Sequence, residues 1–429
     1  MSHLSYIEKL LDGVEVVWLP LGEIGQFIRG NGLQKKDFIE TGFPAIHYGQ
    51  IYTKYGLSAD ETFTYISEEL AKKLRKAERN DLLLATTSEN DDDVVKPLAW
   101  LGNQSAISGD MMLFRHEQNV KYLAHYFLTE AFQAQKRKYI TGAKVRRVSS
   151  GDLSKIVAPI PCPDNPEKSL AIQAEIVRIL DAFTAMTAEL TAELTAELNL
   201  RKKQYNYYRD QLLSFEEGDV EWKMLGEIGE FIRGKRFTKK DYVEDEGIKV
   251  IHYGEIYTHY GTSSTIAISQ VRSDLAGSLR YAEPNDVIVA SVGETIEEVA
   301  KAVAWLGDEK VAIHDDSYAI RHSLNPKYLS YCLQTEKFTT EKAKHVSRGK
   351  VKRLLIDGIS KMEVPIPFAD DPEKSLAEQS RIVAILDKFD ALTNSITEGL
   401  PREIELRQKQ YEYYRDLLLS FPKSTEGAA

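Results

Sequence analysis

Two short stretches of this chain carry a surplus of positive charge that their surroundings lack. Between residues 136 and 155, Lys136, Arg137, Lys138, Lys144, Arg146, Arg147 and Lys155 face one acid, Asp152. Between 337 and 353, Lys337, Lys342, Lys344, Arg348, Lys350, Lys352 and Arg353 face only Glu341. Each stretch turns at a glycine, Gly142 or Gly349. Cations at this density suit contact with a phosphate backbone. A second basic set lies in glycine-rich loops: Arg29, Lys35 and Lys36, mirrored by Arg233, Lys235, Arg236, Lys239 and Lys240. Arg and Lys in such loops can reach guanine edges. The segment HYGQIYT supplies His47, Tyr48, Gln50 and Tyr52, and its double HYGEIYT supplies His252, Tyr253, Glu255 and Tyr257. Gln suits an adenine edge and Glu a cytosine edge. Structural readings stay open beside these: a charge run is commonly a solvated face, and HYG[QE]IYT also fits a strand with buried tyrosines and a turn glycine.

Catalytic chemistry has no comparable seat. The sequence contains no GxxxxGK[ST] phosphate loop, no glycine-rich cofactor loop after a strand and no Asn/Asp-Pro-Pro-Tyr/Phe motif of the kind amino-methyltransferases use. PDNPEK at 163–168 has the wrong spacing for a nuclease carboxylate–lysine motif and is explained as a helix cap. The histidines fall singly, and Cys162 and Cys332 make neither a metal site nor a disulfide framework. The expectation is a binding protein, not an enzyme, with no metal.

The net charge of −10 and pI of about 5.6 oppose non-specific wrapping of DNA, so positive charge must be local, as the two stretches make it. A length of 429 residues predicts two or three domains, and 43% hydrophobic with 28% charged residues is the composition of a soluble globular protein. No apolar run of about 18 residues could span a bilayer, and the first residues, MSHLSYIEKLLDGVEVVWLP, do not read as a secretory signal. A cytoplasmic protein without membrane contact is expected.

The elements that must position these residues are written twice, about 205 residues apart. LGEIGQFIRG at 21–30 returns as LGEIGEFIRG at 225–234, and LAWLG at 98–102 as VAWLG at 303–307. DNPEKSLA at 164–171 returns as DDPEKSLA at 370–377, and LRKKQYNYYRDQLLSF at 200–215 as LRQKQYEYYRDLLLSF at 406–421. Even the tryptophans pair, Trp18 with Trp222 and Trp100 with Trp305, most simply as core residues. Each copy opens with a compact α/β module in which DLLLAT at 81–86 and DVIVAS at 286–291 read as strands. KYLAHYFLTEAFQAQKRKYI at 121–140 reads as one amphipathic helix. The loops 86–96 and 291–301 differ most between copies.

A long helix follows each module. Asn165-Pro166 and Asp371-Pro372 put a capping side chain before a first-turn proline, and no glycine or proline interrupts 167–215. One apolar stripe runs through Ile176, Leu180, Phe183, Met186 or Thr187, Leu190 and Leu194, and another through Ile382, Leu386, Phe389, Leu392, Ile396 and Leu400. A single stripe demands a partner, and the obvious one is the other helix, with Leu190, Leu194, Leu198, Ile396, Leu400 and Ile404 as pairing residues. Gly399 and Pro401 predict a kink or break in the second helix. TAEL occurs three times at 187–198. Each copy adds about 6 Å of helix and about 40° of rotation, so copy number would tune the distance between whatever lies at the ends.

The predicted fold is thus mixed α+β, with two similar modules joined by two long antiparallel helices as a coiled coil, in a pseudo-twofold repeat. Its divisions are an N-terminal segment 1–20, module 21–162, helix 163–217, module 218–367, helix 368–421 and tail 422–429. The pattern resembles the specificity subunits of type I restriction–modification enzymes, most closely the type IC group. The resemblance covers essentially the whole chain and rests on the duplicated layout, on IPCPDNPEKSLAIQAEIVRILDAFTAMTAEL at 160–190, on IELRQKQYEYYRDLLLSF at 404–421 and on the TAEL array. The Glu-Gln found in many members near the helix start is Glu378-Gln379 in the second copy but Ile172-Gln173 in the first. The resemblance implies that the modules are target-recognition domains, each reading half of a bipartite site in double-stranded DNA. It implies helices that set the gap and dock two modification subunits, and motor-nuclease restriction subunits in the full complex. S-adenosylmethionine, ATP and magnesium would belong to those partners, this chain binding no cofactor and directing adenine methylation and DNA cleavage without catalysing either. Because the copies are alike, the half-sites should be nearly identical on opposite strands, with Gln50/Glu255 and Asn31/Lys235 as the points where symmetry could fail. The alternative is a coiled-coil scaffold or adaptor without sequence-specific DNA binding; a stand-alone modification enzyme with a cryptic site is a third.

Overall fold

A computed structural model describes residues 10–11, 13–215, 220–394 and 399–421. Contacts divide the chain into two compact units, Met1–Thr191 with Leu406–Ala429, and Ala192–Glu405. Each holds one module together with part of each long helical region.

In the first unit the module is built on two sheets. One orders Gly25–Arg29, Met111–His116, Leu82–Ala85, Lys96–Trp100 and Ser58–Ala59; the other orders Thr64–Ile66, Phe43–Ile46, Ser105–Ile107 and Lys76–Ala77. The strand Leu82–Ala85 is buried at every residue, as its continuous apolar run predicts. Leu83, Leu98, Trp100, Ile107 and Leu113 make one core with Ile46 and Ile51. Strand Val16–Pro20, which carries Trp18, pairs antiparallel with Val157–Pro161, closing the module at its base. The 121–140 segment forms two helices, Val120–Phe127 and Glu130–Arg137, rather than one. Thr129 breaks it: its hydroxyl accepts from the Phe132 amide and it starts a fresh helix with Glu130 in the first turn.

The second unit repeats this plan. Gly229–Arg233, Ser317–His322, Val287–Ala290, Ala302–Trp305 and Ser263–Ser264 form one sheet, and Tyr242–Val243, Ser269–Val271, Ile248–Ile251, Val311–Ile313 and Tyr281–Ala282 the other. Val220–Met224 pairs with Glu363–Pro367 at the base. Trp100 and Trp305 are core residues, 1% and 2% exposed, with their indole N–H groups donating to the carbonyls of Asn103 and Glu309.

The long helices are α1 (Pro166–Leu212), α2 (Pro372–Asn394) and α3 (Gly399–Leu418). The caps fall where predicted, with Asn165 and Asp371 each accepting through Oδ1 from an amide three residues on, at 3.1 Å. The predicted kink or break would fall at residues 395–398, which lie outside the described residues; Gly399 has φ +72°, and Pro401 sits in the first turn of α3, where its missing N–H costs nothing. Ile396 lies outside the described residues.

The stripes divide their labour. Ile172, Ile176 and Leu180 pack into the core of the first module, and Ile382 and Leu386 into that of the second, so the start of each stripe meets a module and not a helix. Helix–helix contact begins further along. In the first unit α1 meets α3 through Phe183 and Tyr414, with ring centroids 5.9 Å apart, and through the Thr184 and Tyr411 hydroxyls at 3.0 Å. Met186, Thr187 and Leu190 line the same seam, Met186 with 65% of its surface exposed. Higher numbers on α1 meet lower numbers on α3, so this pair is antiparallel. In the second unit Tyr208 of α1 stacks on Phe389 of α2 at 5.7 Å, Leu400 lines a groove beside Tyr205, and Leu194, Leu198 and Ile404 are half-buried. No helix among the described residues is long and apolar enough to cross a membrane.

Candidate nucleic-acid interface

A single turn organises the candidate surface of each module. In the first unit it is Ser108-Gly109-Asp110, between strands Ser105–Ile107 and Met111–His116. Arg29, at the end of its strand, donates from Nε to the Gly109 carbonyl at 3.1 Å. The Tyr48 amide donates to Ser108 Oγ at 3.0 Å, seating the start of helix Tyr48–Thr53 on the turn. The divergent loop is attached at Asp110, whose carbonyl accepts from both Thr86 N and Thr86 Oγ1 at 3.1 Å. Thr87–Ser88 then pairs with Arg146–Arg147 of the basic stretch. Tyr52 ties the helix to the same loop through its hydroxyl, donating to Thr87 O at 2.9 Å. The glycine-loop arginine, the HYG segment, the divergent loop and the basic turn, far apart in sequence, therefore meet at one place.

The second unit assembles the same parts around His314-Asp315-Asp316. Arg233 Nε donates to the Asp315 carbonyl at 3.1 Å, and Ser291 N to the Asp316 carbonyl at 2.9 Å. Val292–Gly293 pairs with Lys352–Arg353, and the Tyr257 hydroxyl donates to the Val292 carbonyl. His252 and His314 lie 4.5 Å apart between ring centroids, with Phe237 5.0 Å from His314.

Not every basic residue of the sequence signal serves this surface. Lys136 and Lys342 are 0% and 2% exposed. Lys136 Nζ donates to the carbonyls of Asp92 and Val94, each at 2.9 Å, and Lys342 Nζ to those of Glu297 and Val299 at 3.1 and 2.7 Å. Burial pushes each ammonium down to about 8, so both remain charged at neutral pH and clamp the loops from beneath. Arg137 pairs with Glu130, Lys155 with Asp152, Lys344 with Glu341, and Lys337 lies over the Trp222 ring. At the turn itself, Arg146 pairs with Asp91 at 2.8 Å and Arg353 with Asp316 at 3.1 Å, while Lys144, Arg147 and Lys350 are exposed and Lys352 half-exposed. Lys35, Lys36, Lys235, Arg236, Lys239 and Lys240 are exposed.

Gln50 and Glu255 correct the expectation that they present free ends to bases. Gln50 Oε1 accepts from His47 N at 2.9 Å, and Glu255 Oε2 from His252 N at 2.9 Å, each closing a helix cap. Their other polar atoms bond Thr64 and Ser269. The His47 and His252 Nδ1 atoms accept from Gly49 and Gly254 amides, which requires neutral rings, and burial holds His252 down to about 4. These groups shape the surface from within. Asn31 is also engaged, donating to Lys73 O and accepting from Arg75 N, whereas its counterpart Lys235 is exposed. Sequence reasoning missed the organising turn, because no motif marks it. The one available signal was that the aligned repeats change there, from SGD to HDD.

Comparison with known proteins accords with this layout. The family described as the type I restriction modification DNA specificity domain matches residues 14–200 and again 217–406. The chain is 38% identical to the EcoR124I/EcoR124II type I restriction enzyme specificity subunit of Escherichia coli, covering 99% of this chain and 98% of that one. It is 33% identical to the EcoprrI specificity subunit of Escherichia coli, over 93% of each. A solved chain from work on complex assembly and conformational transition of the type I R-M system shares the fold, with TM-score 0.63 and 16% identity, covering 94% of this chain and 97% of that one. With the family matched in both copies and relatives aligned from end to end, this chain belongs to the specificity subunits of type I restriction–modification systems.

Proposed function

We propose that this specificity subunit reads a bipartite site in double-stranded DNA, one half with each module, and addresses partner subunits to it without catalysing their reactions. The observation that carries the reading is the recurrence, around residues 108–110 and again around 314–316, of one surface made from an arginine loop, a divergent loop and a basic turn. Lys144, Arg147, Lys350 and Lys352 would hold phosphates, and the loops and organising turns would meet base edges. Because the scaffolds of the two surfaces share most of their anchoring bonds, the half-sites would be nearly the same read on opposite strands.

Two modification subunits would dock on the helices, where Tyr207 and Tyr413, equivalent in the repeat, are 61% and 62% exposed. S-adenosylmethionine would be theirs, as ATP and magnesium would be the restriction subunits'. The direct test is adenine-methylation mapping in a host carrying a matching modification subunit, with and without this chain. A bipartite, near-symmetric motif appearing only with the chain is the expected result. No new motif from subunits that co-purify would instead identify a scaffold.

A further inference from the structure

The two recognition surfaces share their main anchors, and the organising turn is one of the places where they differ. Arg29 and Arg233 hold the same carbonyl, Gln50 and Glu255 close the same cap, and Lys136 and Lys342 clamp the same loop. At the organising turn, however, Ser108-Gly109 is replaced by His314-Asp315. His314 is 7% exposed and packs against His252, Phe237 and Tyr253, where Ser108 simply accepts from the Tyr48 amide. Asp315 stands at the outer position, its side chain 31% exposed. Its Oδ1 is buried against His314, 3.2 Å from Nδ1, and accepts no hydrogen bond, so the exposed part of the side chain is its Oδ2 side. That nitrogen already accepts from the Asp316 amide at 3.2 Å, so it has no proton to offer while the ring is neutral, and burial lowers the ring's pKa. Among the described residues no hydrogen bond engages Oδ2, which is thus the acceptor the carboxylate can turn outward, flanked by Arg233 on its own carbonyl and by Arg353 on Asp316. Gly109 offers nothing there, although a Cβ at that residue would meet its nearest neighbour only at 3.8 Å, which leaves room for a side chain.

We infer that Asp315, propped by His314, reads the amino group of a cytosine in the second half-site, and that the first half-site lacks this requirement because Gly109 stands in its place. A carboxylate accepting from cytosine N4 is a direct major-groove contact, and its loss costs discrimination at one base pair while leaving the rest of the site intact. This inference rests on the bipartite reading above and moves the expected break in symmetry to the turn.

The test is methylation mapping of randomised sites with the full chain and its modification subunits, comparing wild type with Asp315→Gly and with the reciprocal graft Ser108→His/Gly109→Asp. Asp315→Gly is expected to reduce preference for C·G at one position of the second half-site by about tenfold or more, with the first half-site unchanged. The graft is expected to add a C·G preference at the matching position of the first half-site. Asp315→Asn separates a binding role from a folding one: a changed base preference with full occupancy supports the contact. A wild-type motif that neither Asp315→Gly nor the graft alters would overturn the inference and leave the bipartite reading standing. Absence of any wild-type motif would instead remove the reading on which it rests.

Discussion

Lys136 and Lys342 show how a charge counted as surface can become an internal fastener. A buried ammonium tolerates its surroundings only when its protons are engaged, and here two loop carbonyls engage each one. Lys136→Met would strip the donors from the Asp92 and Val94 carbonyls, at a cost of about 2 kcal/mol. The expected effect is local: weaker discrimination in the first half-site with the second unchanged, and the mirror image for Lys342→Met. Mapping both variants checks this, and losses spread evenly over both halves would count against it. Two other buried groups set an acid limit. His116 and His322 each accept a backbone amide through Nδ1, have no partner at Nε2, and are held down to about 4 by burial. On acidification the unfolded chain takes up these protons first, near 6.5, so stability is intact above that pH, falls as the pH drops, and has lost the full amount below about 4. Each ring contributes about 3 kcal/mol to that loss at most. Urea midpoints measured between pH 7 and 4.5 should decline, and His116→Gln with His322→Gln should flatten the curve.

At the level of elements, each module is fastened to the helix that leaves it by one buried glutamine. Gln173 Oε1 accepts from Asn119 N at 2.9 Å and Gln379 Oε1 from Asn325 N at 2.8 Å, both side chains fully buried and both donating to a serine one turn back. The neighbouring Glu378, half-buried, pairs with Arg381 and takes no part in the glutamine joint, so the first copy can carry Ile172 there, turned into its core, without losing it. Gln379→Leu should cost about 2 to 3 kcal/mol by orphaning the Asn325 amide, whereas Glu378→Ala should cost under about 0.5 kcal/mol. Equal effects in a denaturant titration would refute this division. Lys121 on Asp181 and Lys327 on Asp387, the latter at 2.6 Å, fasten the same joints a few residues further along.

For the whole molecule the decisive element is α1, a single 47-residue helix, about 70 Å at 1.5 Å per residue, carrying all three TAEL copies. If its length sets the gap between half-sites, deletion of Thr191–Leu194 should shorten the gap in the methylated motif and leave both half-sites as they are. An unchanged gap would sink the spacer role. The proposed near-identity of the half-sites belongs to this scale too, since it would follow from the duplication and not from any one residue.

Much of this was legible before any tertiary structure. The repeat, the strand runs, the capped helix starts and the uninterrupted α1 depend on local spacing and propensity, which the chain carries in its order. The basic turns at 144–147 and 350–353 were visible for the same reason. Tertiary structure decided what spacing cannot encode. Thr129 split a continuous apolar pattern, since a local cap outweighed the pattern's continuity. The first turns of each stripe went to a module, because burial follows the nearest apolar surface rather than the longest one. Gln50, Glu255, Lys136 and Lys342 turned inward because unsatisfied carbonyls and amides claimed them. The turn at Ser108-Gly109-Asp110 and His314-Asp315-Asp316 gained its importance only from the distant segments that meet there.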